Sequence, residues 1–223
     1  VGPLLAEALL GLFSWRGVLS LVGIGSIVGG GIFIAWGKGG TFPGEAPDSK
    51  TLRSILVQPS FWIMIGLFGL GIGASLGVYA MMPLYLVTER GMDRTWANSL
   101  VAFSRLLTMG AALLTGWVTD RIGPKKTLMG IFLASGAVTI LVGVIPGSWI
   151  IPMVFLQSML AAAFFPPGFA ALYKISSEKM RNVSVSLTVP LGFLLGGGAI
   201  AAGIGVMGEM SSFAFGIALF GGL

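Results

Sequence analysis

GWVTDRIGPKK, residues 116–126, concentrates charge in a chain of 223 residues of which only 9% are charged. Four charges fall within seven of its positions: Asp120, Arg121, Lys125 and Lys126. Apolar runs flank the stretch on both sides, which is typical of a short loop joining two membrane helices. Gly123 supplies backbone freedom for a sharp turn, and Pro124 suits the first position of the next helix. The stretch therefore predicts a tight hairpin at a membrane surface.

The rest of the chain has the composition of a membrane protein. Apolar residues make up 55% of it, and the mean hydropathy is +0.96. Roughly 20 apolar residues cross a bilayer core as a helix, and the runs without charge are long enough: 17–37, 54–88, 127–173 and 182–208. The runs are apolar on every side, whereas membrane β-strands alternate. The fold class is therefore all-α, a polytopic membrane helical bundle.

Turn signals divide these runs into helices. Pro146, Gly147 and Ser148 split the longest run in two. The expected helices are 1–13, 17–36, 58–87, 95–119, 124–145, 149–173, 183–208 and 210–223. The last of them is shorter than a full span, so we expect it to be truncated.

Basic residues indicate the orientation. With alternating loops, nine Lys and Arg share one side and three share the other, and the richer side is expected to be cytoplasmic. Residues 116–126 lie on that richer side. The net charge of +5 follows from this asymmetry, so we expect contact with membrane lipid and no nucleic-acid partner. The plasma (inner) membrane is the expected location.

The residue types present exclude most catalytic chemistry. The chain has no cysteine and no histidine, which removes thiol nucleophiles, imidazole bases and the usual zinc ligands. No Gly-x-x-x-x-Gly-Lys-Ser/Thr sequence for binding ATP occurs either. We expect no enzyme activity, no cofactor and no metal site.

The hairpin also carries a specific pattern. Its spacing is Gly-x-x-x-Asp-Arg-x-Gly followed by two lysines, formed by Gly116, Asp120, Arg121, Gly123, Lys125 and Lys126. This pattern resembles the signature loop of the major facilitator superfamily (MFS), although Pro124 stands where that family usually has a basic residue. Gly2-Pro3 and Ser14-Trp15-Arg16 resemble the family's fifth helix and the turn into its sixth. The alternative is a plain positively charged loop that only sets topology.

The resemblance implies the C-terminal half of a twelve-helix transporter, from late helix five to a truncated helix twelve. Residues 1–36 would end the N-terminal bundle with a partial helix five and helix six, 37–57 would be the cytoplasmic central linker, and 58–223 would form the C-terminal six-helix bundle. The implied function is secondary active transport of a small solute, driven by a gradient, through rocker-switch alternating access. The alternative function is a membrane sensor or scaffold that keeps the fold without transporting. Whether a coupling ion takes part stays open.

Glycines at four-residue spacing predict a close helix contact. Gly69, Gly73 and Gly77 form such a stripe. Ser75, Tyr79 and Met82 lie about 200° around the same helix. These three therefore line a cavity or belong to the core. Further cavity candidates are Gln157 and the bend at residues 164–168, for which a simple proline kink is the alternative.

Arg105 lies deep within an apolar span, where an ionised side chain is usually functional. One interpretation is that it binds an anionic group of the substrate. The other is an ion pair with Glu7, which is expected at a similar depth. The substrate-binding candidates are therefore Arg105, Tyr79, Ser75 and Gln157.

Overall fold

The structure is a computed structural model that describes residues 9, 11–37, 49–176 and 180–223. The chain forms two compact units, Val1–Ala46 and Pro47–Leu223. In the first unit, helix α1 covers Trp15–Trp36, and the Ser14 hydroxyl accepts a hydrogen bond from the Gly17 amide at 3.4 Å. This capping fixes where the helix begins. The helix predicted at 1–13 lies largely outside the described residues.

The second unit is a bundle of helices. They are α2 Ser49–Leu56, α3 Pro59–Thr88, α4 Arg94–Ile122, α5 Pro124–Val144, α6 Gly147–Ile175, α7 Arg181–Met210 and α8 Phe213–Gly221. Counting α1, six helices of the described chain are long and apolar enough to cross a membrane. No strand occurs in the described part of the chain. The predicted all-α, multi-pass fold is confirmed.

Four of the long helices are interrupted near their middle. In α3 and α7 the interruptions are π-helical, at Gly73–Gly77 and Leu194–Ile200. In α4 a turn at residues 105–107 separates Arg94–Ser104 from Thr108–Ile122. In α6 a bend at Phe164 separates Ile150–Ala163 from Phe165–Ile175. The bend was expected from the prolines after it, but neither π-segment was.

The helix predicted over 95–119 corresponds to α4, but the structure adds an interruption at residues 105–107 that was not predicted. The amides of Arg105 and Leu106 bond to carbonyls three residues earlier, Ala102 at 3.2 Å and Phe103 at 3.0 Å. The Thr108 hydroxyl donates to the Arg105 carbonyl at 2.6 Å. This hydroxyl offers the carbonyl an alternative to the regular helical bond. The chain therefore leaves α geometry at the position of Arg105.

The predicted linker 37–57 is partly helical. Its residues 38–48 lie outside the described residues, whereas Ser49–Leu56 forms α2. Ile55 on this helix is 2% exposed and packs in one cluster with Phe61 and Ile65 of α3. Burial of an apolar face explains why this segment is ordered despite its polar composition.

Close contacts between small residues and tight aromatic packing hold the bundle together. A Cβ at Gly143 of α5 would lie 2.8 Å from Ala218 of α8, so the two helices approach closely. At the bend of α6, the Phe164 ring packs edge-on against Phe68 of α3 with centroids 5.2 Å apart. Both phenylalanines are almost completely buried. One part of the core therefore lies between α3 and the bend of α6.

Candidate functional site

The charged hairpin has the geometry that its sequence predicts. Helix α4 ends at Ile122, Gly123 has a positive φ of 87°, and Pro124 begins α5. Because φ in this range strongly favours glycine, the turn requires Gly123. The charged side chains of the hairpin are exposed: Asp120, Arg121, Lys125 and Lys126. Gly116 lies one turn before them, and its Cβ position would be 3.9 Å from Pro166 of α6.

Two side chains of the hairpin show how its charges are placed. The Asp120 carboxylate is exposed, and within the described residues no amide donates a hydrogen bond to it. The Arg121 guanidinium lies over the ring of Trp117, 3.8 Å from its centroid. These two residues are four apart on one helix, so they are neighbours on its surface.

The glycine stripe of α3 lies against α7. A Cβ at Gly69 would be 3.1 Å from Leu195, and one at Gly77 would be 2.8 Å from the Gly196 carbonyl oxygen. A Cβ at Gly73 would be 2.6 Å from the Ile200 side chain. Residues 195–200 belong to the π-segment of α7, so the two π-helical segments pack on each other. The absence of side chains permits this approach.

Arg105 meets α3 directly beside this contact. Its guanidinium donates to the Ser75 hydroxyl at 3.2 Å and to the Ser75 carbonyl oxygen. Its central carbon lies 3.9 Å from the centroid of the Tyr79 ring, which is a cation–π geometry. Ser75 is 4% exposed, whereas Arg105 and Tyr79 are half-buried. Arg105 and Tyr79 therefore present an accessible surface, with Ser75 behind them.

Gln157 approaches the same turn from α6. Its side-chain amide donates to the Ala74 carbonyl oxygen at 2.9 Å, and Gln157 is 2% exposed. All four residues that the sequence analysis proposed for substrate binding thus lie around the π-helical turn Gly73–Gly77. Met82, considered with them, is 2% exposed and belongs to the apolar core.

The charge of Arg105 has no acidic partner in the described part of the chain. The four described carboxylates belong to Glu89, Asp93, Asp120 and Glu209, and none pairs with Arg105. Glu7, the ion-pair partner considered above, lies outside the described residues. All the partners that the structure gives to Arg105 are electrically neutral.

From the sequence we did not predict a second group of polar contacts, which lies at the opposite ends of the helices from the hairpin. The Glu89 carboxylate accepts hydrogen bonds from the amide of Phe213 and, at 3.1 Å, from the amide of Ala214 at the start of α8. Arg90 donates to the Tyr85 hydroxyl at 2.6 Å. Glu89 follows a long uncharged run, and its partners at the start of α8 are far away in sequence. No local pattern predicts these bonds.

The bundle contains a cavity of about 950 Å³ bounded mainly by α3, α5 and α6. Its walls are apolar, and its charged lining residues are Lys125 and Lys174, both exposed. Arg105 and Tyr79 do not line it. Recognition of a small solute requires convergent polar groups, so we place the candidate site at Arg105 rather than in this cavity.

Six apolar spans, two of them joined by a charged glycine hairpin, and interrupted helices around a half-buried arginine define an integral, multi-pass membrane protein. The family model described as Major Facilitator Superfamily matches residues 1–202. The chain belongs to this family, whose members are membrane transporters that bind small-molecule substrates. No curated protein and no solved structure matches the chain.

Proposed function

We propose that the chain is part of a secondary active transporter for a small solute that carries an anionic group. The observation that carries this proposal is Arg105, a half-buried guanidinium at a break in α4. Even on lenient insertion scales a charge at the centre of a membrane helix costs about 2.5–3.5 kcal/mol. Such a cost is usually associated with a functional role.

The surroundings of Arg105 suit anion binding better than mere structural support. Arginine has five N–H donors, and two of its bonds go to the Ser75 hydroxyl and carbonyl. The Tyr79 ring covers one face of the guanidinium. Neutral partners orient the group but leave its positive charge uncompensated, so an anion gains the full electrostatic attraction. A carboxylate or a similar oxyanion fits the remaining donors.

The family membership also supports an assignment of the segments of the chain, of its orientation in the membrane and of its transport mechanism. Residues 1–36 end an N-terminal bundle, 37–57 form the cytoplasmic linker, and 58–223 belong to the C-terminal bundle. The hairpin at 116–126 lies on the cytoplasmic side of the plasma (inner) membrane, in keeping with its basic charge. Transport is driven by a gradient and proceeds by alternating access between the two bundles.

The proposal is tested by uptake into proteoliposomes that contain the full-length protein. Labelled acetate, succinate, nitrate and glucose are compared, with protein-free vesicles as the background. We expect gradient-dependent uptake of at least one anion, no uptake of glucose, and loss of uptake in Arg105→Gln. Glucose uptake without anion uptake would contradict an anionic substrate. Absence of flux for every solute class, in protein that is folded, would favour a sensor or scaffold.

A further inference from the structure

The π-helical turn Gly73–Gly77 leaves one backbone acceptor without its usual donor. In an α-helix the Val78 amide bonds to the carbonyl of Ala74, four residues earlier. Here the Val78 amide donates to the Gly73 carbonyl, five residues earlier. The Ala74 carbonyl oxygen is therefore skipped by the helix. A buried carbonyl in a membrane protein needs another donor, because an unsatisfied one costs several kcal/mol in hydrocarbon.

Gln157 supplies that donor. Its amide nitrogen lies 2.9 Å from the Ala74 oxygen, and its side chain reaches this point from a different span. Gln157 is almost fully buried, unlike the half-buried Arg105 and Tyr79. It therefore lies behind the accessible surface, where it contacts the backbone that carries Ser75 and Tyr79.

The opposite side of the turn is fixed by packing. A Cβ at Gly196 of α7 would meet the Gly69 carbonyl oxygen and the Gly73 amide nitrogen, so backbone lies on backbone there. In the turn itself Gly73, Ala74, Ser75 and Gly77 are buried. Leu76 is 36% exposed. The turn is thus held between α7 on one side and the Gln157 amide on the other.

We propose that Gln157 is a positioning residue that holds residues 73–77 in the π form and so sets the Ser75 carbonyl and the Tyr79 ring against Arg105. A π-turn contains one residue more than the α-helix it interrupts. Conversion to α geometry would return the Ala74 carbonyl to the Val78 amide and shift Ser75 and Tyr79 relative to each other. Gln157 therefore acts on the anion site through the turn. This inference rests on the proposed function only where it concerns the anion.

A double-mutant cycle tests the link between Gln157 and the turn. Deletion of Leu76 removes the extra residue while keeping the helical phase of both flanks, so the Ala74 carbonyl regains a backbone donor. We expect Gln157→Leu to lower the unfolding temperature by roughly 5 °C in the otherwise unchanged full-length protein. In the Leu76-deleted protein the same substitution should have almost no effect. Equal losses in both backgrounds would overturn the proposal.

The control is Tyr85→Phe, which removes another buried bond between a side chain and a backbone carbonyl of a different span, together with the bond from Arg90 to the same hydroxyl. The Tyr85 hydroxyl donates to the Val142 carbonyl at 2.7 Å, away from the turn. Tyr85→Phe should lower the unfolding temperature by the same amount in the protein with Leu76 and in the protein without it. As a control for the deletion itself, removal of the exposed Leu133 from the regular helix α5 should prevent folding, because it rotates everything that follows by about 100°.

A chemical readout tests positioning without a known substrate and without the deletion. Phenylglyoxal modifies arginine, and peptide mass spectrometry locates the modified residue. In Gln157→Leu we expect Arg105 to react several-fold faster, because the Ser75 carbonyl no longer holds it, while Arg121 reacts as before. An unchanged Arg105 rate would contradict the proposal even if the deletion variant failed to fold. If no anion were taken up in the proteoliposome assay, the proposed substrate class would be refuted. The double-mutant cycle and the phenylglyoxal rates would still test the role of Gln157.

Discussion

Two arginines on the same helix make nearly the same contact in different settings. On α4, Arg105 lies 3.9 Å from the Tyr79 ring centroid and Arg121 lies 3.8 Å from that of Trp117. Arg121 is exposed and its ring comes from its own helix, whereas Arg105 is half-buried and its ring comes from α3. Water solvates Arg121, but the interior must provide partners for Arg105. The setting, and not the contact, is therefore what makes Arg105 rather than Arg121 the candidate for binding a substrate.

The largest loss of unfolding free energy is expected for a substitution that disrupts the packing between α3 and α7. Gly196→Ala places a methyl group against the backbone of α3 at Gly69 and Gly73. We expect a loss of about 2–3 kcal/mol in unfolding free energy, since backbone cannot move aside as a side chain can. Thermal or denaturant unfolding in detergent measures it. Gly198→Ala is the matched control, because nothing lies within 4 Å of its Cβ position. Equal stability of the two variants would refute the close contact.

A third charged position, at the other surface, sharpens the comparison. Glu89 is exposed like Arg121, yet it accepts bonds from the Ser212 hydroxyl at 3.0 Å and from the Phe213 amide. We expect Glu89→Ala to reduce the unfolding free energy by about 1–2 kcal/mol, the usual range for a charged helix cap. Glu209→Ala, also exposed, should change it little. If both variants behaved alike, specific partners would not distinguish one surface charge from another.

The two aromatic rings provide a direct test of the setting. Tyr79→Leu should cost about 1 kcal/mol of unfolding free energy, because the guanidinium it covers is partly removed from water. Trp117→Leu should cost about half as much, since its arginine stays hydrated. Chemical unfolding of both variants under the same conditions compares them. A larger loss of unfolding free energy for Trp117→Leu than for Tyr79→Leu would contradict the idea that burial strengthens the contact between arginine and ring.

The smallest effect is expected at the hairpin. Arg121→Gln should change the unfolding free energy by less than about 0.5 kcal/mol, because its charge is exposed and screened. Arg105→Gln should change it more, since it removes both bonds to Ser75. Unfolding curves of the two variants, collected side by side, give the comparison. A strongly destabilised Arg121 variant would show that the hairpin has structural partners beyond Trp117.

The parts of the molecule that local sequence determines were predictable. A glycine followed by a proline between two apolar runs specified the turn at Gly123, and the apolar lengths specified the spans. The break at Arg105 and the π-turn at Gly73–Gly77 were not predictable, because hydropathy is the same for α and π turns. Their stability depends on donors from other spans, such as Gln157. The sequence therefore predicted which residues belong to the candidate site, but it did not predict the contacts between them.

The central claim is that Arg105 binds an anionic group through two of its nitrogen atoms, and Arg105→Lys tests it most directly. Lysine keeps the charge but lacks the planar fork for bidentate binding. In the full-length protein we expect the substrate constant for uptake of the transported anion to rise about tenfold or more, consistent with loss of at least one charge-assisted bond. Membrane insertion, measured by the amount of folded protein in the membrane, should be normal. Unchanged transport kinetics in Arg105→Lys would contradict the account.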